Sequence, residues 1–127
     1  MELNSFFKSI IDADLQPVVI CNNQHDIVYM NPAAVKRYEK NGGDKLVGRS
    51  ILDCHNEKSG AMIKKVVDWF SADKNNNCVY TFHNKQDNRD VYMVALRDDD
   101  GRLIGYYEKH ESRKSETMAL YDMKQEY

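Results

Sequence analysis

The sequence predicts an α+β fold, a five-stranded antiparallel sheet covered on one face by short helices, with an N-terminal and a C-terminal helix at its ends. Three observations predict it. Runs of β-branched and aromatic residues fall in two groups, two near the N-terminus and three in the last third, each separated by turn chemistry. The stretch between the groups carries helical periodicity and short apolar touches instead of alternation. No repeat, low-complexity stretch or linker interrupts the 127 residues, so 1–127 reads as a single domain, with an N-terminal helix over 1–13, a core over 14–112 and a C-terminal helix or tail over 113–127.

Leu3, Phe6, Phe7, Ile10 and Ile11 recur at three-to-four residue spacing, which sets them on one face of a helix expected to lie on something apolar. Pro17-Val18-Val19-Ile20-Cys21 and Ile27-Val28-Tyr29-Met30 are short strands, and Asn23-Gln24-His25-Asp26 between them suits a tight hairpin. Asn31-Pro32 reads as a cap followed by proline at the first helical position. The helix it starts runs through Tyr38 and stops at Asn41-Gly42-Gly43. Leu46-Val47-Gly48 and Ile51-Leu52 suit one-turn helices, and Met62, Ile63, Val66, Val67 and Phe70 define a longer helix from about Ser59 to Ser71. Val79–Phe82, Val91–Leu96 and Leu103–Tyr107 then form three sequential strands joined at Asp87-Asn88 and at Asp98-Asp99-Asp100-Gly101. Beyond Ser112, Met118, Tyr121 and Gln125, or Leu120, Met123 and Tyr127, fall at helical spacings and predict the terminal helix.

Composition narrows the function. Apolar residues make up 42% and charged residues 30%, and the net charge is -2 with neither sign gathered into a block, which argues against a nucleic-acid partner. No apolar run is long enough for a membrane span, and Met1-Glu2-Leu3-Asn4 lacks the layout of a secretion signal, so no membrane partner and a cytoplasmic location are expected. Cys21, Cys54 and Cys78 contain no Cys-x-x-Cys pair and are expected to be buried thiols, with no structural metal site. A nucleophile elbow, a phosphate-binding glycine loop and a His-x-x-x-His pair are all missing, so no catalytic residue is assigned and the protein is expected not to be an enzyme. The Asp98-Asp99-Asp100 carboxylates read as solvated turn charge.

The order of elements, with Val18-Val19-Ile20-Cys21-Asn22, Ile27 through Ala34, Leu46-Val47-Gly48-Arg49-Ser50-Ile51 and Val94 through Gly105 at its joints, resembles the PAS family of sensory domains over about residues 14 to 112. Leu52-Asp53-Cys54-His55-Asn56-Glu57-Lys58-Ser59 is similar to one PAS subgroup, found in some bacterial and archaeal proteins beside hemerythrin-like or regulatory domains. The resemblance implies a non-catalytic signalling module that binds a small molecule, such as haem, a flavin, a fatty acid or an organic acid, between sheet and helices. It also implies a homodimer made through the N-terminal helix and the outer sheet face. No kinase, cyclase or DNA-binding module follows the fold, so output is expected to run through a downstream regulatory protein, the dimer or a further portion of the protein.

Candidate pocket residues are Cys54, His55, Met62, Ile63, Val66, Tyr80, Phe82 and Met93, placed between the Ser59–Ser71 helix and the sheet. His55 is the candidate axial ligand if the cofactor is haem, with Cys54 beside it as a thiolate donor. The alternative is that His55 hydrogen-bonds the turn before the long helix and Cys54 packs as a small hydrophobe. Asp53-Cys54-His55-Asn56 departs from the Asn-Cys-Arg-Phe-type motif of flavin photosensors. His25, His83 and His110 are expected at exposed polar positions, without a shared metal. Eight tyrosines suggest that one face of the sheet meets something other than water. Three functions follow: a ligand-sensing module, a haem-based gas or redox sensor using His55, and a dimerisation module that binds no ligand.

Overall fold

The structure is a computed structural model that describes residues 3–124. Helix α1 (Leu3–Ala13) leads into a hairpin of β1 (Val18–Asn22) and β2 (Ile27–Met30), followed by α2 (Pro32–Arg37). Three 3-10 turns, Glu39–Asn41, Gly43–Leu46 and Ile51–Cys54, precede α3 (Glu57–Ala72), and β3 (Cys78–Asn84), β4 (Arg89–Arg97) and β5 (Leu103–Ser112) follow it. The five strands form one antiparallel sheet in the order β2-β1-β5-β4-β3. The last strand thus lies at the centre, between the first and fourth.

Side-chain alternation fixes which face is covered. Val19 and Cys21 of β1, Met93 of β4 and Tyr106 of β5 are buried and pack with Ile63, Val67 and Phe70 of α3 and Leu46 and Ile51 of the short turns. Phe70 is fully buried, and its burial supplies about 2–3 kcal/mol. Asn56 caps α3, its side chain accepting from the Ser59 amide at 2.8 Å, so the helix starts two residues before the expected Ser59. Its last turn carries no basic residue. Arg97 of β4 supplies the missing cation, donating to the Phe70, Asp73 and Asn76 carbonyls at 2.8, 3.2 and 3.0 Å where the helix dipole is negative.

Asn31 is the polar centre of the N-terminal half. It is 0% exposed, and its Oδ1 accepts from the Val18 and Ala34 amides, both at 2.9 Å. Its Nδ2 donates to the carbonyls of Ile11 at 2.9 Å and Gln16 at 3.1 Å. One side chain therefore joins the end of α1, the start of β1 and the first turn of α2.

Four expectations are corrected. Residues 113–124 form no helix; Met118, Leu120 and Met123 are exposed, and a short segment without a surface to pack on does not hold helical structure. Gln125 and Tyr127 lie outside the described residues. Helix α1 forms but buries none of its residues: Ile11 and Asp12 at its end are half-buried, and Leu3, Phe6, Phe7 and Ile10 are exposed. Only Cys21 is a buried thiol: Cys54 and Cys78 are exposed, one ending a 3-10 turn and the other opening the edge strand β3. His110 is buried because its position in β5 faces the helices, and His25 is half-buried, its Nδ1 2.8 Å from the Tyr106 hydroxyl.

Candidate functional site

A cavity of about 180 Å³ lies beneath the short turns. Val19, Ile27 and Met30 of the first hairpin and Leu46 and Ile51 of the 3-10 turns make its apolar wall, and Tyr38, Asn41, Cys54, His55 and Glu108 supply polar groups. The turns stand off the sheet because positive-φ glycines redirect the chain there. Gly48, with φ +94, has open space where a side chain would begin, and its amide donates to the Ile27 carbonyl at 2.7 Å, so backbone freedom is what the position requires. The Ile27 and Ile51 amides donate to the Arg49 and His25 carbonyls, each at 2.8 Å, lacing the turns to the hairpin.

His55 follows the last 3-10 turn, and its Nδ1 lies 2.8 Å from the Ile51 carbonyl. A carbonyl only accepts, so Nδ1 carries a proton and Nε2 of the neutral ring is an acceptor. His55 thus bonds the turn before α3, as one of the two sequence readings has it, and also lines the cavity.

Glu108 enters from the opposite wall. Tyr106, Glu108 and His110 share the covered face of β5, and Glu108 sits between Val19 of β1 and Met93 of β4. Its Oε1 accepts from His110 Nε2 at 2.8 Å. The side chain is 26% exposed, and that surface opens into the cavity. Burial pushes the carboxyl pKa up, but the hydrogen bond and charge of His110, with the charges of His55 and Arg37, outweigh burial and hold it below its usual value. The group is a carboxylate at neutral pH. His110 Nδ1 is buried with no partner among the described residues.

Of the candidate residues, Cys54 and His55 line this cavity. Ile63 and Met93 are buried in the adjoining core, Val66 packs against it and Met62 is exposed. Tyr80 and Phe82 lie on edge strand β3, 57% and 60% exposed, where a bulge between them shifts the register from Tyr92 to Val91. The cavity therefore lies under the turns at the β2–β1–β5 side, because Ile63, Val67 and Phe70 pack α3 closely on the sheet. Sequence reasoning missed Glu108 by ending the last strand at Tyr107. Period-two alternation continued from Tyr106 through Glu108 to His110 would have found it.

The outer sheet face carries a second polar cluster. Asp90 accepts from Tyr80, from His83 Nδ1 at 2.7 Å and from Arg113 Nε at 2.6 Å. Arg113 also donates to the Tyr92 hydroxyl at 2.6 Å, and the Tyr80 and Tyr92 rings stack with centroids 5.2 Å apart. Hydrogen bonds from Tyr80, Arg113 and His83, in that order, hold the Asp90 carboxyl well below the usual range.

Haem does not fit the cavity. His55 Nε2 has the chemistry of an axial ligand, but about 180 Å³ falls below the roughly 300–1,000 Å³ of pockets for drug-sized ligands, and haem is at least that large. Among the described residues, no three His, Cys, Asp or Glu side chains are grouped to hold a metal ion, and no helix is long and apolar enough to cross a membrane.

A family model described as PAS domain matches residues 10–110. Among solved structures, the chain is similar to the C-terminal domain of a Streptococcus mutans protein, with 22% identity, TM-score 0.67 and coverage of 87% of this chain and 85% of that one. It is also similar to the PAS domain of Bordetella pertussis BvgS, at 13% identity and TM-score 0.63 over 88% and 87% of the two chains. The Aer2 receptor from Vibrio cholerae, described as a dual PAS-haem oxygen sensor, matches at 15% identity and TM-score 0.57 over 77% and 94%. No curated protein matches the sequence.

Proposed function

The chain belongs to the PAS domain family, and from that premise we propose that it is a non-catalytic sensory module whose ligand is a small molecule held beneath the 3-10 turns. The observation that carries the reading is the cavity of about 180 Å³ into which Glu108 projects from the covered sheet face, between Val19 and Met93. A half-buried carboxylate that His110 holds ionised and that opens onto a ligand-sized space is placed to meet a guest. Cavities of about 150 Å³ accommodate a molecule the size of benzene, which sets the scale of that guest.

Occupancy would be read through the turns. Ligand binding favours the arrangement in which they close on the hairpin, and the shift reaches α1 through Asn31 and the Tyr29–Asp12 hydrogen bond. A cytoplasmic location and a downstream regulatory protein complete the proposal. Native mass spectrometry of the purified chain and a thermal-shift screen of small compounds test it. Added mass or a ligand-dependent rise in Tm, lost when Ile51→Phe fills the space, is expected; a chain whose Tm no compound raises overturns the reading.

The dimerisation reading is favoured by the uncovered apolar face of α1. It complements ligand binding, because the helix that a second copy would cover is the one tied to Asn31.

A further inference from the structure

We propose that this cavity takes a small organic monocation, an ammonium group on a hydrocarbon body of about six to eight heavy atoms in all. The inference rests on the reading of the cavity as a ligand pocket and adds the charge and shape of the guest.

Among the described residues, Glu108 is the only Asp, Glu, Lys or Arg in the cavity lining. One of its oxygens is satisfied by His110, while no hydrogen bond reaches Oε2 among the described residues. Arg37, whose charge acts on Glu108, does not line the cavity and lies 3.7 Å from Asp87 outside it. Across the space, the His55 Nδ1 proton is committed to the Ile51 carbonyl, so in the neutral ring Nε2 is a second acceptor. Beside the polar groups of Tyr38, Asn41 and Cys54, the site therefore offers a carboxylate oxygen and an imidazole nitrogen against an aliphatic wall. An ammonium group supplies donors for both and a charge that the carboxylate attracts strongly in a poorly screened space. An anion would face Glu108 with no Lys or Arg among the described lining residues to offset the repulsion, and a neutral alcohol brings no charge for the carboxylate to attract. The aliphatic wall of Val19, Ile27, Met30, Leu46 and Ile51 calls for a hydrocarbon body on the cation.

The test titrates the full chain at neutral pH with three molecules of one shape, benzylammonium, benzyl alcohol and benzoate, by calorimetry and by methyl NMR of Ile27 and Ile51. Benzylammonium is expected to bind about tenfold or more tightly than the alcohol, with benzoate weakest, and to move both isoleucine methyls. Glu108→Gln, which keeps the side-chain shape, is expected to abolish the preference. The wild-type series decides the matter even if that variant does not fold. If benzyl alcohol or benzoate binds as tightly as benzylammonium and moves the same methyls, the cation assignment is overturned while the ligand pocket stands. If none of the three moves them, the assignment and the pocket reading both fall.

Discussion

Asn31 has no exposed surface, its Oδ1 holding two buried backbone amides and its Nδ2 part-buried carbonyls. Asn31→Ala leaves the Val18 and Ala34 amides without an acceptor and removes the cap of α2. A buried unsatisfied donor costs about 1–3 kcal/mol, so the variant is expected to lose about 2–4 kcal/mol. Urea denaturation should show a lower midpoint at unchanged slope; a loss under about 1 kcal/mol would contradict this bonding pattern. Asp90 makes a different prediction. Its folded pKa is depressed from 3.8, so its contribution is fully present above that unfolded value and drains away as pH falls below about 4 toward the folded value. Asp90→Asn is expected to lower stability at neutrality and to flatten the acid limb below about pH 4, read from urea midpoints across pH. An unchanged limb would show that other carboxylates set it. Gly105 needs its lack of a side chain for space: an added Cβ would sit 2.1 Å from the Cys21 carbonyl oxygen, a contact that only separation of β1 from β5 could relieve.

Among the elements, the end of α3 depends on a residue from another element. Arg97 also bonds Asn77 Oδ1 at 2.8 Å and the Gly101 carbonyl at 3.2 Å, so one planar fork ties the helix end to the 73–77 loop and to the β4–β5 turn. Arg97→Lys keeps the charge and loses the fork. Hydrogen exchange is expected to speed up at residues 73–77 and in the last turn of α3, with β1 and β2 unchanged; equal protection would assign the contact no structural weight. The strands and α3 were legible because period-two and helical patterns were each bounded by strong turn or cap residues, such as Asn31, Asn88 and Gly101. The C-terminal helix was misread because spacing alone was counted, without a surface for Met118 or Leu120 to cover. Likewise Phe6 and Ile10 revealed that α1 is amphipathic but not that its apolar face is uncovered. At the site, Cys54 and His55 were legible from their motif. Glu108 was hidden within the polar run Glu108-Lys109-His110-Glu111, where composition suggests a strand end and only parity shows which residues turn inward.

The whole molecule leaves Leu3, Phe6, Phe7 and Ile10 of α1 in water, an arrangement that association of two copies would relieve. Sedimentation velocity is expected to show a concentration-dependent dimer that Phe6→Glu with Ile10→Glu dissociates without lowering the intrinsic stability of the monomer. A chain that stays monomeric at high concentration would remove the dimer reading and leave the ligand reading intact. The sheet order has a further consequence during synthesis. With Leu103–Ser112 seated between the first and fourth strands, a ribosome that has delivered everything up to the Asp98–Gly101 turn has made two separate ribbons with no backbone pairing between them. The final ten-residue strand is the keystone, bringing Glu108 to its wall as it joins the halves. A nascent chain stopped just short of it would present two unpaired inner edges, each a template for aggregation.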